Sequence, residues 1–175
     1  MNKFIKMILV AAIAMGGMTM EAKELTDAQK AEVKAIALVA KLEGYRSYWY
    51  SCSAGVQTIG YGFTKSVLTK DEQALKSMDR KTADRILGRE IRKIQKDVRK
   101  LVTRKMTVDQ EVAVISFVYN LGLPKFKSST LLKRINDGSD SAVVVTELKK
   151  WVYAGGKVSN GLKNRRETES KYWLA

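Results

Sequence analysis

Three observations predict an α+β fold, mostly α, in two lobes. Apolar residues recur every three or four positions through most of the chain after residue 26, as amphipathic helices require. One aromatic stretch, EGYRSYWYSCSAGVQTIGYGFT from Glu43 to Thr64, is broken by glycines in the manner of short strands. Between the ribbon and the later helices runs a long amphipathic segment, Lys81 to Val102, suited to joining two lobes. At 175 residues the chain is long enough for one domain with a substantial core.

Thr26 followed by Gln29 forms a capping box, and Val33, Ile36, Val39 and Leu42 follow at helical spacing. A helix is therefore expected from Asp27 to Leu42, with Glu43 at its C-terminal end and Gly44 as its stop. The aromatic stretch carries breaks at Ser53-Ala54-Gly55, Gly60 and Gly62, which suit two or three short twisted strands, the only β segment expected. Leu87, Ile91, Ile94, Val98 and Leu101 give the long helix its apolar stripe, and its charges form the solvated face. Thr107 with Gln110 caps another helix, apolar enough through Val112, Ala113, Ile115, Phe117 and Val118 to form the centre of a helical lobe. Helices are expected near Ser129 to Asn136, Asp140 to Val152 and Leu162 to Trp173, separated by Gly138 and by Gly155-Gly156.

The N-terminus has a basic start, Lys3 and Lys6, followed by an uncharged run from Met7 to Met20 that ends at Glu21. As a helix the run would span roughly 21 Å, short of the roughly 30 Å of bilayer hydrocarbon, and Gly16-Gly17 weakens it further. Residues 1–25 therefore read as an export signal or a releasable signal-anchor recognised by Sec-type machinery, with a buried N-terminal core helix as the alternative, and residues 26–175 as the working domain. The expected destination is the periplasm or the outer face of the inner membrane.

The chain contains no histidine and one cysteine, which excludes Cys/His zinc sites, Ser-His-Asp and Cys-His triads and any disulfide within one chain. No GxxxxGK[ST] phosphate loop is present, and no metal or cofactor is implied. Side-chain acid–base chemistry falls mainly to carboxylates. The net charge of +14 predicts attraction to polyanions such as anionic lipid, an acidic cell wall or nucleic acid. The helices lack basic residues interleaved with aromatics, so no specific nucleic-acid partner is expected.

A carboxylate at a helix end facing a strand ribbon can protonate the leaving oxygen of a glycosidic bond. Glu43 qualifies, since partial burial beneath aromatic rings disfavours a carboxylate's charged form, although from local sequence alone such a residue is more often a surface acid at a helix terminus. The pattern Glu43, eight residues, Cys52, five residues, Thr58 resembles the catalytic triad of phage-type muramidases, in which the middle residue is Asp or, in some members, Cys. TIGYGFT, SFVYNLGLPKFKSSTLLKRIN and LKKWVYAGGKVSNGLKNRRETESKYWL resemble the same family in the same order.

The resemblance implies a lysozyme-like fold in which a monomer cleaves the β-1,4 bond between N-acetylmuramic acid and N-acetylglucosamine of peptidoglycan. Glu43 would be the proton donor, with Cys52 and Thr58 handling the water. A free thiol near pKa 8.5 is only about 3 % thiolate at pH 7. Cys52 would thus either be activated by cations such as Arg46 and Lys65 or act as a neutral group beside Thr58, and direct attack by its sulfur on the sugar stays open. Tyr48, Trp49, Tyr50 and Tyr61 are candidates for stacking on sugar rings, although aromatics at alternating strand positions more often belong to the core. Asn120, in the family-like YNLG, is a candidate sugar ligand or a helix-end residue. Arg165 and Arg166 read as ion-pair partners for Glu167 or for the small lobe.

Overall fold

The computed structural model describes residues 24–51 and 55–175. The export segment expected over residues 1–25 lies outside them except for Glu24 and Leu25, and Cys52 lies outside them as well. Among the described residues no helix is long and apolar enough to cross a membrane. The architecture is the α+β, mostly α arrangement expected from the sequence.

The first element of the described residues is α1 (Asp27–Glu43), closed at its start by the Thr26–Gln29 capping box and at its end by Gly44. Its buried face is Ala31, Ala35, Leu38 and Val39, whereas Val33 and Leu42 of the expected stripe are half-buried. Alanines on that face let α1 approach its neighbours closely. Strands β1 (Arg46–Ser51), β2 (Gln57–Gly60) and β3 (Phe63–Thr64) form an antiparallel sheet in that order, with Tyr50 opposite Thr58 and Thr58 opposite Thr64.

A four-residue helix, α2 (Lys70–Gln73), leads to α3 (Arg80–Leu101), the expected connecting helix. The helical lobe follows as α4 (Val108–Leu121), α5 (Leu123–Lys127), α6 (Thr130–Asn136), α7 (Ser141–Lys149) and α8 (Asn160–Leu174). The short helices α2 and α5 hold too few residues to show a period. The ribbon is not the only β structure, because β4 (Tyr153–Ala154) and β5 (Lys157–Val158) pair as a hairpin. Its turn is Gly155-Gly156, both at positive φ (55° and 76°), the geometry of a tight hairpin whose strands are too short to alternate legibly.

Two apolar cores result among the described residues. One gathers Ala35 and Val39 of α1, Ile59 and Phe63 of the ribbon, and Leu87 and Ile91 of α3. The other gathers Phe117, Phe126, Leu131, Ile135, Val144 and Leu148 of the helical lobe. The long helix contributes to both, and Ile94 and Tyr172 touch each. Full burial of such side chains stabilises by about 1.5–3 kcal/mol each, so each lobe has its own source of stability.

The ribbon is pinned by side chains that bond to backbone. Trp49 Nε1 donates to the Leu75 carbonyl at 2.7 Å, and the Tyr45 hydroxyl donates to that of Met78.

Candidate active site

Glu43 is the last residue of α1, where the chain turns at Gly44 into β1. Its side chain is 22 % exposed, and Oε1 accepts a hydrogen bond from Arg165 Nη1 at 2.5 Å. On the other side lies the backbone of Gly62, at φ 79°, where a Cβ would sit 3.3 Å from Glu43 Oε2. The turn between β2 and β3 thus carries no side chain where it meets the carboxylate. From the helical lobe, the Tyr119 hydroxyl donates to the Tyr61 carbonyl at 2.8 Å. Burial pushes the Tyr119 phenol well above its ordinary range, and the Glu43 charge pushes it the same way. Glu43 therefore lies among α1, the ribbon turn, α4 and α8.

Thr58 sits in β2, buried, and its hydroxyl donates to the Tyr50 carbonyl across the sheet at 3.3 Å. With its proton so directed, the Thr58 oxygen keeps lone pairs that can accept. Asn120 lies one residue from the end of α4, and its Oδ1 accepts from Arg166 Nη2 at 3.0 Å, which fits the helix-end alternative.

Tyr61 corrects the stacking expectation. It is 3 % exposed, its ring packs against Tyr45 and Phe63, and its hydroxyl donates to Asp84 at 2.7 Å while accepting from Arg80 at 3.2 Å. Burial, with Asp84 second, lifts its phenol to about 12. No ring face is left open to a sugar. Trp49 also packs against the small-lobe core, whereas Tyr48 is exposed.

The two arginines of α8 depart from one expected pairing. Glu167 pairs with Lys149 at 2.9 Å, and the acid that both arginines share is Glu169, wholly buried. Arg165 reaches the small lobe as well, through Glu43. The sequence signal for Glu169 was its spacing, four residues from Arg165 and three from Arg166, which places all three on one helix face.

Residues 40–169 match the family model described as phage lysozyme, a span that contains Glu43, Cys52 and Thr58. The chain belongs to the phage lysozyme family. Among relatives, the chain is 36 % identical over 141 residues to the endolysin of Bacillus phage B103, covering 79 % of this chain and 52 % of that one. It therefore spans about half the length of that relative. It is 34 % identical over 128 residues to the SAR-endolysin of Bacteriophage PS119, covering 73 % of this chain and 74 % of the other. In structure it is similar to the muramidase domain of SpmX from Asticaccaulis excentricus (TM-score 0.69, 27 % identity, 81 % of this chain and 95 % of that chain). The endolysin from Escherichia coli O157:H7 phage FAHEc1 is likewise similar (TM-score 0.70, 26 % identity, 92 % and 96 %).

Proposed function

We propose that the protein is an exported endolysin that hydrolyses the β-1,4 bond between N-acetylmuramic acid and N-acetylglucosamine of peptidoglycan, with Glu43 as the general acid. The observation that carries this reading is the Glu43 carboxylate, held at a helix end between a glycine turn of the ribbon and Arg165 of the helical lobe. Hydrolysis needs that acid to protonate the leaving oxygen as the bond breaks, and a second group to aim water at the sugar. Cys52 and Thr58 take the second role by their positions in the family pattern. Thr58 presents an acceptor oxygen, and Cys52 either activates water as a thiolate or attacks the sugar itself.

The SAR-endolysin relatives support reading residues 1–25 as an export signal or a releasable anchor that delivers residues 26–175 to the wall side of the inner membrane. The net charge of +14 then concentrates the enzyme on anionic wall and membrane polymers.

The test is the release of reducing ends from purified peptidoglycan by the full chain, with product masses recorded, beside Glu43→Gln, Cys52→Ser and Cys52→Asp. Hydrolytic products that vanish with Glu43→Gln and persist with Cys52→Asp are expected. Anhydro-sugar ends would indicate a lytic transglycosylase instead. Lysis unaffected by Glu43→Gln would leave a cationic protein acting on membranes.

A further inference from the structure

Behind Glu43 lies a buried chain of charges. Arg165, 7 % exposed in its side chain, uses all three guanidinium nitrogens. Nη1 donates to Glu43, Nε to Glu169 Oε1 at 3.2 Å, and Nη2 to the Ser116 carbonyl at 3.1 Å with a longer contact to its hydroxyl at 3.4 Å. Glu169 Oε1 also accepts from the Ser116 hydroxyl at 2.7 Å and from Arg166 Nη2 at 3.1 Å. Glu169 Oε2 lies 2.8 Å from Arg166 Nε, close enough for an ion pair though poorly aligned for a hydrogen bond. Arg166, wholly buried, stacks over the Phe117 ring at 4.9 Å. Two guanidiniums thus face two carboxylates, and Arg165 is shared between Glu43 and Glu169.

We propose that Glu169 is a positioning residue for the acid: it holds the Arg165 guanidinium in place from behind and takes part of its charge, so that Glu43 meets an aimed and partly neutralised cation. The proposal rests on the reading of Glu43 as general acid. Glu169 is too deeply buried to touch substrate, so its influence runs through Arg165. A single planar guanidinium bridging two carboxylates transmits orientation as well as charge, which a lysine ammonium cannot do. Burial is the largest influence and pushes the Glu169 carboxyl above its ordinary value, while the charges of Arg166 and Arg165 and the Ser116 hydroxyl pull it back toward the ionised form.

The other groups facing this chain are few. Tyr119 of α4 feels both Glu43 and Arg165, together with Glu90 and Tyr50, and the ribbon turn brings the Gly62 backbone to Glu43 Oε2. None of these residues reaches Glu169 by a hydrogen bond.

The sign of the effect follows from charge. Glu169→Gln removes the negative charge behind Arg165 and leaves Glu43 as the carboxylate that Arg165 faces, which favours ionised Glu43. The acid then loses its proton at lower pH, and the alkaline limb of the kcat profile moves down by about 0.5–1 pH unit. Glu169→Asp keeps the charge and should restore part of the shift. Ser116→Ala, a milder change, takes a hydrogen bond from Glu169, makes it lean harder on Arg165, and should move the limb slightly upward.

The experiment is the kcat–pH profile of the full chain on solubilised peptidoglycan for these three variants and for Glu169→Gln on an Arg165→Met background, each with a thermal melt. A limb that moves in these directions, and does not move with Glu169→Gln once Arg165 is gone, supports the proposal. Lower activity with an unmoved limb in both Glu169→Gln and Ser116→Ala overturns it, since that is what a purely structural role gives. If Glu169→Gln does not fold, the Ser116→Ala limb decides alone. Activity retained by Glu43→Gln in the same assay would sink the acid assignment itself, an outcome separate from failure of the Glu169 proposal.

Discussion

Arg165 Nη1 lies 2.5 Å from Glu43 Oε1, although 122 residues separate the two in the chain. The contact ties the last helix to the end of the first and brings a cation to the candidate acid. Breaking one side of a largely buried ion pair leaves a charge without its partner, at about 3–5 kcal/mol. Arg165→Met is expected to destabilise the fold by about 3 kcal/mol in urea titration at neutral pH. Removing both charges, in Glu43→Gln with Arg165→Met, should leave it less damaged than the sum of the single changes.

Gly62 should tolerate no side chain. Its φ of 79° is left-handed, and a Cβ would press on Glu43 Oε2 at 3.3 Å. Gly62→Ala is expected to cost roughly 1 kcal/mol of stability and at least tenfold in kcat, because displacing the carboxylate harms chemistry more than packing. Equal, small losses in both measurements would count against Glu43 as the acid.

Acid stability should depend on Glu72. Arg89 chiefly, with the Thr69 backbone and Arg85, holds this buried carboxylate at about 2, below its ordinary 4.5. A depressed folded value means the contribution is complete above about 4.5 and is lost as pH falls through about 2. The loss is on the order of 2–3 kcal/mol. Urea midpoints measured from pH 6 to pH 2 should fall steeply in the parent and more shallowly in Glu72→Gln, which starts lower.

The Tyr119 hydroxyl fastens α4 to the ribbon turn beside Glu43 through one bond to the Tyr61 carbonyl. Tyr119→Phe removes that donor and leaves a carbonyl unpaired in a half-buried setting, so stability should drop by about 1 kcal/mol. Amide exchange should quicken in the Gly60 to Thr64 turn and stay unchanged in α6 and α7, whose core is separate.

Wall activity should fall with salt. The net charge of +14 is mostly solvated, and its attraction to an anionic wall is screened over about 8–10 Å at physiological ionic strength. Turnover of intact walls is expected to drop several-fold between about 0.05 and 0.3 M NaCl. Turnover of short soluble peptidoglycan fragments, which carry the same bond but few charges per molecule, should change much less over the same range.

Local chemistry made much of this protein readable from its sequence. The capping boxes at Thr26 and Thr107 start helices at Asp27 and Val108 because their hydrogen bonds close within four residues. Glycines 44, 60 and 62 marked the ends and turns of the ribbon, and Glu43, Cys52 and Thr58 lie within residues 40–169, the span that matches the family. The hairpin at Tyr153 to Val158 escaped because two-residue strands have no period to show.

What only the tertiary structure decided was partnership across distance. Whether Tyr61 faces a sugar or the core depends on Asp84 and Arg80 of α3 meeting its hydroxyl, about twenty residues away. Arg165 could have paired with any nearby acid, yet the packing of α8 on α4 puts Ser116, Glu169 and Glu43 around one guanidinium. Capping and periodicity act over one or two turns of chain, so a sequence displays them. An ion pair spanning 122 residues forms only when helix packing closes that loop, and no local pattern records its geometry.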